Sequence, residues 1–422
     1  MSSNGAKVDD VDGVRSISVD NVLASYDRLG IDNWSDQRLI AAVSNVIAEP
    51  REGPADSFVL HAPLELVARS RLLPLVAPMA RRGARVRLLN LAAGYEASGP
   101  PLGAGSDDLS PLSREDLAAP LPALLRALDD GDLVAVDRTA QHIVGSVIDP
   151  VDLVRGLADA LIARTSAAAH APILLSYLLA GGPTSRALLP LLRPMAREIA
   201  RMPAARIRWY DDALPATAAG GVSAPRLEQV LAEAPRLGVP GSAFIHPLMM
   251  QVDEGGFAAE RLGPVMLEST KRGADAARSV LRIAVRSMLD DNPDHAKYGW
   301  THCLTMPQAV LALAPHLDRP DRALAVAATH VLGFRTALGA TDLDPASTLP
   351  SGGRPQWERA TALASDAATR HDAHIVKYSL AVIEGSCADQ EAADLYLSAG
   401  ERLLEIWGAP GDDPDDTLAH QS

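Results

Sequence analysis

Segments rich in alanine and leucine, with apolar residues at helical spacing, cover most of this chain and set the strongest limit on its fold. Both residues are strong helix formers, whereas a sheet protein needs more β-branched and aromatic residues. Aromatic residues make up only 4% of the 422 positions. Two patches with strand-like composition, Arg85–Asn90 and Arg206–Tyr210, are too few to build an organising sheet. The pattern predicts an all-α protein, a compact array of about a dozen or more helices.

Two capping residues predict where the first helices begin. Asp20 precedes a helical pattern that runs to Leu29, and Ser35 precedes one that runs to Ala48. Asp and Ser side chains accept hydrogen bonds from the first N–H groups of a helix, which have no partner within it.

A ten-residue block that occurs twice indicates an internal duplication. Residues 72–81 read LLPLVAPMAR and residues 188–197 read LLPLLRPMAR, so eight of ten positions are identical. A His-Ala-Pro tripeptide stands upstream of each copy, beginning at His61 and at His170. The repeated unit holds roughly 110–120 residues, which is longer than the units of standard helical solenoids. We therefore expect a compact array rather than an extended superhelix.

The charge balance and the cysteine count exclude several classes of protein. The chain has 39 Lys and Arg against 53 Asp and Glu, a net charge of −14, and no basic stripe compensates for it. Nucleic acid and anionic membranes are therefore not expected as partners. Only Cys303 and Cys387 occur, so a disulfide scaffold and a C-x-x-C metal or haem signature are both absent from the sequence.

The two ends of the chain predict the domain limits and the compartment. Residues 1–18 are expected to be a disordered tail, residues 19–408 a single α-helical domain, and residues 409–422 a disordered acidic tail. The start has neither the basic region nor the apolar run of a signal peptide. The most apolar stretch, residues 172–181, is too short to span a bilayer. A cytoplasmic protein is therefore expected.

The common cofactor-binding loops are missing from the sequence. No G-x-x-x-x-G-K-[ST] segment, G-x-S-x-G elbow or H-E-x-x-H helix occurs. Gly103 and Gly105 begin a G-x-G pattern, but Asp108 stands where a third glycine is needed. The sequence therefore gives no support for a flavin, haem or nicotinamide enzyme.

Several histidines lie in apolar helical surroundings. His61 opens a long apolar helix with Glu65 one turn later, and His142, His302 and His330 lie among apolar residues. One such histidine is more often an ordinary core or surface residue. Several together favour a metal site, because imidazole suits Fe, Zn, Cu and Ni.

Three further basic residues share one helical stripe. His371, His374 and Lys377 are spaced i, i+3, i+6, so Lys377 lies one turn from His374. Burial beside another cation would lower the pKa of Lys377, and a neutral amine can act as a ligand or nucleophile or capture carbon dioxide as a carbamate. A surface lysine that lies along Tyr378 is the simpler alternative.

Two other classes of function remain open at this point. His371-Asp372 matches the central dipeptide of HD-type metal phosphohydrolases, with His330 upstream and Asp389 or Asp394 downstream as possible partners. A non-catalytic α-helical module that binds a small molecule or a protein is the other alternative.

Four segments, taken together and in order, resemble the questin oxidase-like family. They are His61-Ala62-Pro63 at the start of a long helix, His142-Ile143-Val144-Gly145, Trp300-Thr301-His302-Cys303 and the run from Asp372 to Lys377. The last is similar to the family's Asp-Gly-His-x-x-Lys segment, and the third to its aromatic-x-His-Cys segment. The resemblance covers about residues 58–400, most of the chain.

The resemblance implies a non-haem iron oxygenase that oxidises or cleaves a ring of a polycyclic aromatic or quinone polyketide. Family members of known activity open anthraquinone-type rings in a Baeyer–Villiger-like sense. Dioxygen and a small aromatic substrate are the implied partners, and the electrons come from a reduced substrate or an external reductant. The family's iron is held by four histidines and a carboxylated lysine. Carried over to this sequence, the metal ligands are His61, His142, His302, His374 and Lys377, the last two being the expected catalytic residues.

Further residues are candidates for an additional ligand or for contacts behind the ligands. His170 is the first substitute because it repeats the His-Ala-Pro tripeptide, and His330, Glu65 and Asp372 follow. The chain departs from the family at Glu65 and at Asp149, where relatives often carry extra histidines.

Overall fold

Helices form along nearly all of the chain that the computed structural model describes, namely residues 7–52, 57–102, 112–146, 148–180, 184–212, 226–240, 245–345 and 354–408. Within these ranges there are 22 α-helices and no β-strand, and ladder contacts are limited to two isolated bridges. The all-α prediction is confirmed.

The first half of the chain contains α1 to α12. Their bounds are Val8–Arg15, Val22–Arg28, Asp36–Ile47, Ser57–Leu72, Pro78–Ala97, Arg114–Ala118, Pro120–Asp130, Leu133–Gly145, Pro150–Leu161, Ala171–Ala180, Ser185–Leu188 and Leu192–Ala200.

The second half contains α13 to α22. Their bounds are Trp209–Asp212, Leu227–Ala232, Ile245–Asp253, Phe257–Arg272, Ala274–Asp290, Thr301–Leu313, Pro320–Leu338, Gln356–Ala367, Ala373–Ala388 and Ala393–Trp407. Short 3-10 turns join several helices, and a π-helical turn, Ala296–Trp300, leads into α18.

The helix starts agree with one capping prediction and correct the other. The Ser35 side chain accepts a hydrogen bond from the backbone N–H of Arg38 at 3.2 Å and caps α3, as predicted. Asp20 instead lies inside a 3-10 turn, and α2 begins only at Val22.

The expected tail at residues 1–18 is wrong for its second half. Helix α1 lies within it, Val14 is fully buried, and Asp10 accepts a 2.6 Å ion-pair contact from Arg38 on α3. This half-buried ion pair and the apolar contact of Val14 give the segment partners that order it. The expected acidic tail, residues 409–422, lies outside the described residues.

The two strand-like patches are not part of a sheet. Residues 85–90 lie in the middle of α5, where the guanidinium of Arg85 donates to the carbonyl oxygens of Ile31 and Trp34 and helps to seat the helix against its neighbours. Arg206 is extended but forms only an isolated bridge with Arg164. Tertiary packing overrides the weak strand preference of both patches.

The two copies of the repeat share part of their local structure. The two His-Ala-Pro tripeptides lie at or near the start of α4 and α10. Each Leu-Pro-Leu segment forms a 3-10 turn, Leu73–Leu75 in one copy and Leu189–Leu191 in the other.

Four apolar helices form a closed ring within the array. Helix α4 packs against α10, α10 against α18, α18 against α21, and α21 against α4. Long stretches of these helices are buried on all sides, for example residues 171–178 of α10 and residues 373–383 of α21. A helix that is buried all round belongs to the centre of a protein. We call these four helices the central bundle.

None of the helices in the described ranges is both long and apolar enough to cross a membrane.

Candidate metal centre

Four histidines meet inside the central bundle, one from the first part of each helix. His61 is in the second turn of α4, His170 directly precedes α10, and His302 and His374 are the second residues of α18 and α21. Their ring centroids are 4.6 Å apart for His61–His170, 4.5 Å for His61–His374, 4.8 Å for His302–His374, 5.5 Å for His170–His302 and 6.3 Å for His61–His302.

Three of these rings are held in place by a hydrogen bond that Nδ1 makes. The Nδ1–H of His302 donates to the backbone oxygen of Tyr298 at 2.5 Å, that of His170 to the oxygen of Ala167 at 2.8 Å, and that of His374 to Oδ1 of Asp372 at 2.8 Å. Carbonyl and ionised carboxylate oxygens only accept hydrogen bonds, so each Nδ1 must carry the proton. The lone pair is then on Nε2, which is the arrangement typical of metal-binding histidines.

A strained turn sets the position of His170. Ala167, Ala168 and Ala169 have φ angles of 49°, 49° and 55°, in the left-handed region that alanine rarely adopts. Each such residue costs about 1–2 kcal/mol relative to a right-handed conformation. The same turn contains the carbonyl of Ala167 that accepts the His170 hydrogen bond. The strained backbone conformation therefore also fixes the orientation of the His170 ring.

The π-helical turn before α18 brings Tyr298 to the centre. Its carbonyl accepts from His302, and its ring meets the His374 ring edge-on at 4.9 Å. Tyr298 is 48% exposed, whereas each of the four histidines is at most 7% exposed. The Tyr298 ring therefore reaches from solvent to the buried histidines, and the Trp407 ring lies 6.3 Å from it.

Lys377 completes the group of buried nitrogen donors. Its Nζ donates to Nε2 of His170 at 3.2 Å, and the residue is 1% exposed. Burial lowers the pKa of Lys377 from 10.5 to about 7, although the nearby Asp372 and Glu65 carboxylates oppose the shift. A substantial neutral fraction of this amine therefore exists at neutral pH.

Two acids lie close to these bases. The Glu65 carboxylate pairs with the Arg69 guanidinium at 2.5 Å, and Arg69 also donates to the carbonyl oxygens of Ala368 and Arg370. Burial raises the pKa of Glu65, while Arg69 acts in the opposite direction. Burial acts to raise the pKa of Asp372 as well, but the hydrogen bonds from His374 outweigh it and lower that pKa.

The four imidazoles are neutral at physiological pH. Burial is the largest cause that lowers the pKa of each one, and repulsion from Lys377 adds to it in every case. A metal ion binds neutral imidazole, so no proton has to be displaced from these rings.

The donor set fits a metal ion. One ring nitrogen from each of His61, His302 and His374 can be chosen so that all three lie within 4.8 Å of one another, close enough to surround a single ion after small movements. His170 contacts both His61 and His302 and adds a fourth imidazole. The neutral nitrogen donors suit Fe, Zn, Cu or Ni, and they do not suit Mg or Ca, which prefer oxygen ligands.

The structure brings together four of the five predicted ligands and replaces the fifth. His61, His302, His374 and Lys377 are in the centre, whereas His142 is half-buried on α8 and makes none of the ring contacts that join the others. Helix α8 packs mainly against α7 and α12, outside the central bundle. His170 takes the place expected for His142, and the repeated His-Ala-Pro tripeptide was the signal for it.

The remaining candidates have other surroundings. His330 is buried on α19 and its pKa is lowered to about 4 by burial alone, without repulsion from Lys377 or the four histidines, which places it apart from them. Glu65 and Asp372 lie behind the ligands, in contact with Arg69 and His374.

The His371-Asp372 pair is not arranged as in an HD-type site. His371 contacts the Arg87 guanidinium, and the Asp372 carboxylate is used by the backbone and ring of His374. Cys303 is also an unsuitable nucleophile, because burial raises its pKa to about 12.

No family model, no curated protein and no solved structure matches the chain.

Proposed function

We propose that this protein binds one metal ion through His61, His170, His302 and His374, with Lys377 beside it. The observation that supports this most directly is the hydrogen bonding through Nδ1 of three of the rings, which leaves the lone pair of each ring on Nε2, the atom that would bind the metal. Any buried imidazole N–H needs an acceptor, and in these three rings, which belong to one cluster, the acceptor is always on the Nδ1 side. In metal-binding histidines, a hydrogen bond from the nitrogen that does not bind the metal orients the ring and raises the basicity of the other nitrogen.

We further propose that Lys377 acts as a carbamate. Its amine reacts with carbon dioxide to form an N–C bond, and one proton leaves to solvent. The product is an anionic oxygen ligand, which four neutral imidazoles lack. The low pKa of Lys377 supports the reaction, because only the neutral amine attacks. Two helices, α10 and α21, begin at the centre, and their partial positive charge favours an anion there.

The reaction we propose is oxygenation of a polycyclic aromatic or quinone substrate by a non-haem iron enzyme. This step rests on the resemblance of the four histidine and lysine segments to the questin oxidase-like family. Iron would supply the one-electron chemistry with dioxygen that protein side chains cannot provide.

The proposed substrate approaches from the side of Tyr298. This ring is exposed to solvent on one side and touches His374 on the other, so a flat aromatic molecule can stack on it next to the centre. Trp407 extends the aromatic surface behind it.

Metal analysis of the purified protein tests the first proposal. We expect about one equivalent of a redox-active transition metal, and a loss of most of it in each His→Ala variant at positions 61, 170, 302 and 374. His142→Ala and His330→Ala are matched controls that remove a histidine elsewhere, and they should keep the metal. Full metal content in all four test variants would show the assignment to be wrong.

The lysine and the chemistry are tested separately. ¹³C-labelled bicarbonate should give a carbamate signal in the wild type that is missing in Lys377→Arg, because arginine stays protonated. Dioxygen consumption with an electron-rich hydroquinone or anthrol should require iron and should be lost in the same variant. Turnover without dioxygen, or an active Lys377→Arg protein, would contradict the proposal.

A further inference from the structure

A cavity of about 300 Å³ lies in the central bundle, towards the C-terminal ends of the same helices that carry the histidines. Residues seven and ten positions after a helical residue lie about two and three turns further along the same side of the helix. The cavity is lined by residues at these positions after three of the histidines: Tyr177 and Ala180 after His170, Ala309 and Ala312 after His302, and Ala381 and Glu384 after His374. The cavity and the histidines therefore share one axis.

The inner end of the cavity is close to the centre. Thr305, which lines it, is three positions after His302, about 4.5 Å along the helix axis. Lys377 stands at the same level on α21, three positions after His374. About one helical turn therefore separates the cavity from the ring nitrogens.

Small side chains leave this space open. Ala309, Ala312 and Ala381 present only a methyl group each, and most of the lining is apolar. At the outer end, the Arg71 guanidinium pairs with the Glu384 carboxylate at 2.5 Å and lies over the Tyr177 ring, 5.7 Å from its centroid. The lining also includes Arg278 and Asp389, which pair with Asp275 and Arg282. Because each charge already has a partner of opposite sign, the cavity offers little to an ion and suits a small uncharged molecule.

We infer that this cavity collects dioxygen and delivers it along the bundle axis to the metal centre, an inference that rests on the proposed function. Dioxygen is uncharged, apolar and small, and its passage over the last turn requires only side-chain movement of the buried Thr305 and Lys377. A polycyclic substrate in the same cavity would still lie about one turn, roughly 5 Å, from the ring nitrogens, whereas reacting atoms must approach to about 3–3.5 Å. The substrate and dioxygen therefore reach the centre from opposite ends of the bundle.

Xenon binding tests the cavity without any reaction. Xenon resembles dioxygen in size and polarity and fills dry apolar cavities. In crystals of the metal-free protein under xenon pressure, an atom should appear beside Ala309 and Ala381. It should be lost in Ala381→Phe, where the new ring fills the space, and in the milder Ala309→Leu. Ala277→Phe is the control, because Ala277 lines a different cavity together with Ala274 and Leu324.

The rate of oxidation of bound ferrous iron tests delivery. After rapid mixing with dioxygen, Ala381→Phe should react at least tenfold more slowly than the wild type, and the Ala277→Phe control should not change. An empty cavity under xenon, or an unchanged rate in both cavity variants, would overturn the inference. If the protein binds no redox metal, the proposed function fails, and the xenon result still decides whether the cavity takes small apolar molecules.

Discussion

The two His-Ala-Pro copies bring the same side chain to the same centre, but different structures hold it in each copy. After His61, α4 continues as a regular helix, and Glu65 and Arg69 form a buried ion pair one and two turns later. After His170, the matching positions are Leu174 and Leu178, which are both buried and apolar.

The two copies also differ in how far their supporting contacts reach. Arg69 donates to the carbonyl oxygens of Ala368 and Arg370, just before the helix that carries His374. The hydrogen bond that orients the His170 ring through Nδ1 is local, because its acceptor lies three residues earlier, in the left-handed turn. A duplicated segment can therefore keep a ligand while the interactions that position it diverge, one copy using a long-range ion pair and the other backbone strain.

The largest effect is expected when a charged residue of the first copy is replaced by leucine, the residue at the matching position of the second copy. Glu65→Leu leaves the Arg69 guanidinium buried without its carboxylate, which should lower the free energy of unfolding by about 3–5 kcal/mol. Urea unfolding of the metal-free protein measures this. The double variant Glu65→Leu/Arg69→Leu removes both charges and should recover at least about 1 kcal/mol, since no buried charge is then uncompensated. Equal losses in the two variants would show that the ion pair is not what distinguishes the copies.

The second largest effect is expected for the pH dependence of stability, which depends on Lys377, the residue that contacts His170 of the second copy. Its pKa is about 7 in the folded protein and 10.5 when unperturbed, so the unfolded chain holds more protons between these values. The free energy of unfolding of the metal-free protein should therefore rise with pH from about 7 to 10.5, by up to about 1.4 kcal/mol per unit. Lys377→Met should remove this slope, whereas Lys271→Met on α16 should keep it. A flat wild-type profile above pH 7 would contradict the assignment.

A smaller effect, which is stabilising at one position, is expected for an alanine-to-glycine substitution near each His-Ala-Pro histidine. Ala168→Gly removes the steric cost of a left-handed alanine and should stabilise the protein by about 0.5–1 kcal/mol, after the extra entropy of glycine in the unfolded chain. Ala62→Gly, in the buried regular helix, should destabilise it by about 1–2 kcal/mol. Thermal unfolding of both variants gives the comparison, and a loss of stability in Ala168→Gly would mean that the turn is not strained.

The smallest effect is expected outside both copies. His142 is half-buried on α8, so His142→Ala should change the free energy of unfolding by less than about 0.5 kcal/mol. Urea unfolding next to His170→Ala checks this. A large loss would indicate that α8 depends on the imidazole in a way its packing does not suggest.

The features that could be predicted from the sequence are those that depend on neighbouring residues in the chain. The alanine and leucine spacing predicted the all-α fold, and Ser35 predicted the start of α3. The spacing of His374 and Lys377 correctly placed both on one side of a helix that enters the centre.

The missed features depend on tertiary contacts. The repeated His-Ala-Pro tripeptide pointed to His170, but sequence alone could not exclude His142, because both lie beside apolar residues and the packing of α10 in the central bundle decides between them. The segment 85–90 has strand-forming residues, but it lies within α5, where Arg85 contacts the segment between α2 and α3. The left-handed alanines before His170 have no sequence signal, since glycine rather than alanine is the usual residue at a positive φ angle.

The spread of the four histidines along the chain has a consequence for the order of folding. His61 and His374 come from opposite ends of the described chain, and His170 and His302 lie far from both. Contacts between such distant segments form late, after the chain-closure entropy between them has been overcome. The metal centre is therefore completed only when all four helices of the central bundle have assembled, and metal uptake during refolding should report the last step of folding rather than the first.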